Sequence, residues 1–299
     1  MIIIPKSVKS ALTKTGGFLY NYTHSLQPYT GCAFGVGCGV YCYVSSLPIH
    51  QHASDGLAWG EYVHPKENIA EVLAVELAQV AQRGELAMLR IFMSSATDPY
   101  QPLEYQLGLS RACLEVFNRY RPGLLVIQTR SPLVRRDFPL IAAFGAHAWL
   151  SLTIETDNDA IIRQLTPKVP SITARMKVAE QAKAAGLKVQ VAISPLLPLT
   201  QPDYFADWLT AVADRVIVDT FVSGDGSQGR RTASTRIPVL WRKLGYGDWQ
   251  DETTAQALYQ LLLTRLGPER VGWSAAGFNS LPVPPLPGEQ LQLPLLADQ

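Results

Sequence analysis

Cysteine is scarce: four residues in a chain of 299. That excludes a disulfide-framed secreted scaffold and makes a reducing cytoplasm the expected compartment. Charge is scarce too. Charged residues make up 17% of the chain, against the ~25% of an ordinary globular domain, and the net charge is only +1. Neither an acidic tail nor the strong basic excess of a dedicated duplex binder is present, although a local basic patch is compatible with this balance. Long apolar runs are also missing. The hydrophobic stretches span roughly 5 to 8 residues, where a membrane helix needs ~20. The opening "MIIIP" is cut short by Lys6 and Lys9 and is too brief for a secretory signal. The chain therefore reads as soluble and intracellular, with no membrane partner. What it does have is apolar content, 47%, enough for a substantial core in one large domain or two small ones.

That apolar content is arranged in alternation. "MLRIFM" (88–93), "LLVIQT" (124–129), "AWLSLTI" (148–154), "KVQVAI" (188–193) and "RVIVDTFV" (215–222) read as strands. Helices are expected near 66–83, 102–119, 133–145, 171–186 and 202–213. In the fourth, Ser171 can cap the start, Ile172, Met176 and Ala179 share a face, and Gly186 supplies a left-handed stop. Strands recurring every ~25 to 40 residues are the mark of βα units with right-handed crossovers. With a further strand ahead of residue 28 there are six such units. The expected class is α/β, as a partial (β/α)6 TIM-like barrel or an open doubly wound sheet. In both, the loops after the strands converge on one rim, here rich in Ser, Thr and Arg.

The first of these loops, "PYTGCAFGVGCGVYCYV" (28–44), holds three of the four cysteines, Cys32, Cys38 and Cys42, spaced C-x5-C-x3-C among four glycines. Glycine permits close backbone approach, so such a loop can wrap an inorganic cluster. Three thiolates on a four-iron cube leave one iron open to a chelating small molecule. Structural zinc instead needs four ligands, and His50 or His52 could complete a Cys3His set in a non-redox binding protein. Spacing alone leaves both open. Cys113, the fourth thiol, shares a helical face with Leu109, Val116 and Phe117 and reads as a buried structural residue.

"VKSALTKTG", "QPYTGC", "CGVYCYV", "WGEYVHPKENIAEVL", "SSATDPYQPLE", "LSRACLEVF", "TRSPLVRRD" and "LTPKVPSITARMKVAEQAKAAGLKV" followed by "SPLLP" succeed one another over roughly residues 8–200. In that order they resemble the radical S-adenosylmethionine (SAM) enzymes, and more narrowly their spore photoproduct lyase-like branch. The resemblance implies a partial (β/α)6 barrel with a [4Fe–4S] cluster on Cys32, Cys38 and Cys42. It also implies SAM chelated to the vacant iron and cleaved to a 5′-deoxyadenosyl radical. A reductant such as flavodoxin or ferredoxin would serve as partner, and the substrate, which could be a nucleic acid or nucleotide, is not specified. A SAM-binding relative without radical activity is the other outcome the resemblance allows. The loop is longer than the family's C-x3-C-x2-C by two residues in the first gap and one in the second.

Site roles follow from the same resemblance. Tyr41 matches an aromatic position beside the adenine. Ser94, Ser95, Thr97 and Asp98 follow the second strand, where the family binds the methionine ammonium; hydroxyls with one carboxylate suit a cationic amine. The same stretch also reads as a turn, with Pro102 near the start of the next helix. Arg130 falls where the branch has a lysine reaching the methionine carboxylate, which an arginine could grip with two parallel hydrogen bonds. Ser151 and Ser194 match small residues near SAM on the fourth and fifth strands. Ser95 occupies the position of the lyase's hydrogen-donating cysteine, and a hydroxyl O–H is too strong to replace it, so lyase chemistry proper is not expected. Finally "GRRTASTRIPVLWRK" gathers Arg230, Arg231 and Arg236 after the sixth strand, where they could meet a phosphate or simply cover a solvated face. The expected layout is an N-terminal segment (1–25), the barrel (26–222), a helical extension (223–280) and a Pro/Leu-rich tail (281–299).

Overall fold

The computed structural model describes residues 1–282; most of the Pro/Leu-rich tail lies outside the described residues. Eleven strands are present among them: β1 (Ile2–Ile3), β2 (Leu12–Lys14), β3 (His24–Leu26), β4 (Tyr29–Gly31), β5 (Tyr62–Pro65), β6 (Arg90–Met93), β7 (Leu124–Thr129), β8 (Ala148–Thr153), β9 (Lys188–Ile193), β10 (Arg215–Val218) and β11 (Val271–Trp273). The main sheet runs β11-β10-β9-β8-β7-β6-β3-β2. Every pair in it is parallel except β2 with β3. A small sheet, β1-β5-β4, carries the chain into the cysteine loop. The protein is thus an α/β fold whose parallel sheet forms a partial barrel, as expected, and β3 is the strand expected ahead of residue 28.

The parity of each strand separates two layers. Leu125, Ile127, Leu150, Leu152, Val189, Val191, Val216 and Val218 point outward into the main core beneath the helices, while Leu124, Val126, Trp149, Ala192 and Ile217 form a second cluster on the other face. Period-2 alternation then sets the inner face toward the strands' C-terminal ends, where polar residues take over: Gln128, Ser151 and Thr153, Gln190 and Ser194, and Asp219. In β7 and β8 the inward-facing row changes from apolar to polar along the strand, while β6, β9 and β10 carry Arg90, Gln190 and Arg215 before the apolar Phe92, Ala192 and Ile217.

The helices pack on the outer face. Ile172–Ala184 starts where expected: the Ser171 hydroxyl oxygen accepts from the Ala174 N–H at 3.2 Å, and Gly186, at φ +75°, ends the turn beyond it. Two expected helices are broken. The one over 102–119 divides at Gly108 (φ +64°) into Glu104–Leu107 and Leu109–Arg119. The one over 133–145 is a 3-10 turn, Pro132–Asp137, and a short helix, Phe138–Ala142, because Pro132 and Pro139 lack the N–H groups that a continuous ladder needs. The stretch expected as purely helical also contributes β11, which pairs with β10.

The sheet edges are bridged by segments from opposite ends of the described chain. The Asn21 N–H donates to Asn279 Oδ1 at 2.8 Å, Asn21 Nδ2 donates to the Asn279 carbonyl at 2.9 Å, and Tyr22 Oη donates to the Phe278 carbonyl at 2.9 Å.

Candidate functional site

The cysteine loop leaves β4, forms a helical turn over Gly35–Cys38 and then a 3-10 turn over Tyr43–Ser46. Glycine is required where the loop crosses Trp59: a Cβ on Gly35 would lie 2.7 Å from the indole Nε1. The loop after β6 pins it from the other side. Thr97 Oγ1 donates to the Gly31 carbonyl at 2.6 Å, and Gln101 Oε1 accepts from the Ala33 N–H at 2.8 Å. Cys32, Cys38 and Cys42 consequently line one cavity of about 520 Å³, together with Ser94, Ser95, Thr97, Asp98, Arg130, Ser194 and Arg231. Cofactor and substrate sites fall in this size range.

The three thiols are not equivalent. Burial pushes Cys32 up to about 12. The Cys42 thiol donates a hydrogen bond to Cys38, which lowers Cys38 and raises Cys42, and Arg130 adds to the lowering. Cys38 is therefore the first of the trio to carry a thiolate.

Behind this wall lies a buried ion network. Glu155, fully buried, is paired with Arg175 and with Arg130 Nη1 at 3.2 Å, and it accepts from Tyr41 Oη at 3.1 Å. Two guanidinium groups meet one carboxylate there, the buried Asp98 carboxyl also interacts with Arg130, and Arg130 lines the cavity.

The expected residues divide. Asp98 is spent on the scaffold: its carboxylate accepts from the Tyr100 N–H (2.8 Å), Thr129 Oγ1 (2.7 Å) and the Arg130 N–H (2.9 Å), tying the ends of β6 and β7 together. Burial raises its pKa and these donors oppose the rise. Ser95 accepts from Gln27 Nε2 at 2.8 Å. Ser94 differs: it holds a left-handed backbone (φ 72°), and its buried hydroxyl has no partner among the described residues. Gln128 Oε1, also in the cavity wall, is likewise buried and unpartnered. Trp59 Nε1 is a third such atom in the same lining, and orphaned polar atoms gathered in one cavity are what a site built around a ligand leaves in its absence. Ser194 Oγ donates to Asp219 Oδ2 at 3.0 Å.

Three expectations about placement change. Tyr41 does not line the cavity; its hydroxyl is bound within the ion network and its ring meets Phe221 edge-on at 6.0 Å. Ser151 lies one layer deeper, fully buried and accepting from Gln190 Nε2 at 2.9 Å. Of the basic run only Arg231 reaches the cavity, while Arg230 and Arg236 are exposed outside it. Adjacent residues on a helical turn point about 100° apart, so Arg230 and Arg231 cannot both face one wall.

His50 and His52 do not join the thiols. His50 Nδ1 is bonded to Tyr62 Oη at 2.6 Å, and His52 Nδ1 to the Pro48 carbonyl at 2.7 Å. Among the described residues no group of three or more His, Cys, Asp or Glu side chains closes on a single-ion position. One zinc ion requires its ligands around a common point at ~2.3 Å from sulfur, whereas a four-iron cube takes each thiolate at a separate corner. Three thiols lining one cavity beside Arg130 suit the second arrangement. Cys113 is buried away from the cavity, and burial raises its pKa.

Sequence reasoning missed two acids. Glu155 organises the ion network. Asp219 lines the cavity, is fully buried, and has a pKa raised to about 7 by burial. Hydrogen bonds from Ser274, the Thr220 N–H and Ser194 only partly offset that rise, and Glu252 adds to it. Its signal was the inward parity of β10 continued one step past Ile217.

A partial parallel barrel with a thiol-bearing loop after its first strand defines the structural class. Within that class the chain has the fold of spore photoproduct lyase. A mutant of that enzyme matches with a TM-score of 0.61 at 14% identity, covering 91% of this chain and 81% of the other. A second mutant, with bound AdoMet and dinucleoside spore photoproduct, matches equally, with TM-score 0.61, 14% identity and the same coverage. By sequence, the chain is 32% identical over 176 residues to an uncharacterized protein of Acidianus two-tailed virus, covering 55% of each. It is 28% identical over 195 residues to an uncharacterized protein of Mycobacterium tuberculosis, covering 64% of this chain and 54% of that one. The match thus spans about half the length of these curated relatives. No family model matches the chain. No helix among the described residues is long and apolar enough to cross a membrane.

Proposed function

We propose that this chain is a radical SAM enzyme. The observation carrying the proposal is that Cys32, Cys38 and Cys42 share one cavity wall with Arg130 and the unpartnered Ser94 hydroxyl, in the fold of spore photoproduct lyase. Cys32, Cys38 and Cys42 would hold a [4Fe–4S] cluster, Ser94 and Ser95 the methionine ammonium, Arg130 the methionine carboxylate, and Ser194 the nucleoside end. When bound, the cluster supplies the electron, and SAM the adenosyl group, for hydrogen abstraction from substrate.

The residues of the chain do the rest. Arg130 is presented rigidly because Glu155 and Tyr41 hold one edge of its guanidinium, which leaves its remaining N–H groups for a carboxylate. Asp98, itself saturated, fixes the backbone of Arg130 and so the start of that side chain. Tyr41 acts by positioning Arg130 and Glu155. The apolar inner cluster below excludes water from the rim. Asp219, hydrogen-bonded to Ser194 and with its pKa raised to about 7 by burial, is placed to exchange a proton with an occupant of the cavity. A spore photoproduct lyase structure holds a dinucleoside photoproduct, which makes a nucleic acid or nucleotide one substrate class. Ser95 at the thiol position points to a reaction other than photoproduct reversal. The electron would come from a small redox protein such as flavodoxin or ferredoxin.

Anaerobic reconstitution tests this. About four irons and matching sulfide per chain, with 5′-deoxyadenosine formed on reduction in the presence of SAM, are expected. Zinc without sulfide, and SAM left intact, would refute it.

A further inference from the structure

The cavity has a second wall, remote in sequence from the thiols. Lys14 ends β2, Gly16, Gly17 and Phe18 come from the loop between β2 and β3, Arg231 from the segment after β10, and Phe278 from the helix Ser274–Phe278 that follows β11. The rings of Phe18 and Phe278 lie 5.7 Å apart, tilted at 54°. Neither Lys14 nor Arg231 belongs to an ion pair among the described residues.

The acids near Arg231 are engaged elsewhere. Asp225 spends its carboxylate on backbone amides, with Oδ1 accepting from Ser227 and Gly229 and Oδ2 from Arg231 and Thr232; Arg231 Nη1 reaches only the Asp225 carbonyl, at 2.7 Å. Glu252 is bonded to the hydroxyls of Thr220 and Ser223. Asp219 is held by Ser194 and the Thr220 N–H. The guanidinium therefore keeps donors at a cavity wall where no carboxylate among the described residues claims them. The space is real on the opposite side as well: a methyl group on Gly16 or Gly17 would meet nothing within 4 Å.

We propose that this second wall is a substrate subsite for a small planar molecule bearing an anionic group, with its ring against Phe18 and Phe278 and its phosphate or carboxylate on Arg231 and Lys14. The subsite rests on the reading that the thiol wall is occupied by cofactor, which leaves this wall to the substrate. A ring beside two aromatic faces gains stacking contacts of the kind that sets orientation, and two unpaired cations with different reach select for charge at one end. Free donors at Arg231 suit a forked acceptor, so phosphate and carboxylate share the chemistry that the wall recognises.

The test is equilibrium binding to the full chain, prepared anaerobically, with and without reconstituted iron and sulfide. The probes are phenyl phosphate, benzoate, neutral benzyl alcohol and inorganic phosphate, and ligand NMR reports binding and ring contact. Phenyl phosphate or benzoate is expected to bind at least tenfold more tightly than benzyl alcohol, and the preferred one identifies the anion. Arg231→Ala and Lys14→Ala should each weaken that probe severalfold, whereas Arg230→Ala, outside the cavity, should not. Phe278→Leu should weaken phenyl phosphate but not inorganic phosphate. Equal binding of benzyl alcohol, or equal effects of Arg230→Ala and Arg231→Ala, would overturn the subsite. So would inorganic phosphate binding as tightly as phenyl phosphate. If the probes fail to bind while iron, sulfide and SAM cleavage are all present, the subsite falls and the enzyme reading stands. If iron and cleavage are absent but the probes bind, the reverse holds.

Discussion

Replacing Asp219 with Asn should stabilise this protein, increasingly so as pH rises from about 4 to 7. The carboxyl is fully buried, has no cationic partner among the described residues, and is pushed by burial from its ordinary 3.8 up to about 7. A raised carboxyl pKa means that the folded chain keeps a proton which the unfolded chain has already released. Stability is therefore intact below about pH 4, declines as pH rises toward 7, and stays reduced above it. A shift of roughly three units at ~1.4 kcal/mol each makes the deficit about 4 kcal/mol at pH 8, a large share of a typical folding free energy of ~5–15 kcal/mol. Asparagine is close in shape and has no charge to desolvate. Its amide oxygen can keep the Thr220 N–H, and the Ser194 hydroxyl can rotate to accept from the amide nitrogen. Urea unfolding of both proteins at pH 4.5 and pH 8, followed by circular dichroism, isolates the effect, because every other titrating group cancels in the difference. The variant should gain several kcal/mol at pH 8 and lie within about 1 kcal/mol of the parent at pH 4.5. An equal difference at the two pH values would refute the reasoning.

Other outcomes follow from the same geometry. Cys38→Ala removes the thiol that ionises first and should abolish iron and sulfide incorporation; retention of both would show the ligand assignment to be wrong. Glu155→Gln leaves Arg130 and Arg175 facing each other in a buried site and should cost about 3–5 kcal/mol in denaturant unfolding; a loss under 1 kcal/mol would mean that the network is hydrated. Ser94→Gly relieves a left-handed backbone, worth about 1–2 kcal/mol, while deleting the orphaned hydroxyl. Stability should rise and SAM affinity fall, and a joint rise would argue against Ser94 as a ligand contact.

Much of the fold was legible because each parallel strand is a short apolar run followed by a recognisable helix. β11 was not, since three residues, one of them glycine, give no run to detect; only its pairing with β10 makes it a strand. The helix expected over 133–145 failed at its prolines, a local signal outvoted by the hydrophobic pattern around it. The cysteine loop was legible from clustering alone. Glu155 and Asp219 were not, because a buried acid is defined by partners distant in the chain: Arg130 and Arg175 for the first, Ser194 for the second. Tyr41 and Ser151 were placed by position in the chain, but orientation decided their surroundings. Asp98 illustrates the same limit. Its identity suggested a ligand, and three local donors made it a strut.

The bridge between Asn21 and Asn279 joins residues 258 positions apart. During synthesis, then, the loop carrying Cys32, Cys38 and Cys42 is translated long before Phe278, so one wall of the cavity comes from the beginning of the described chain and the wall facing it from the end.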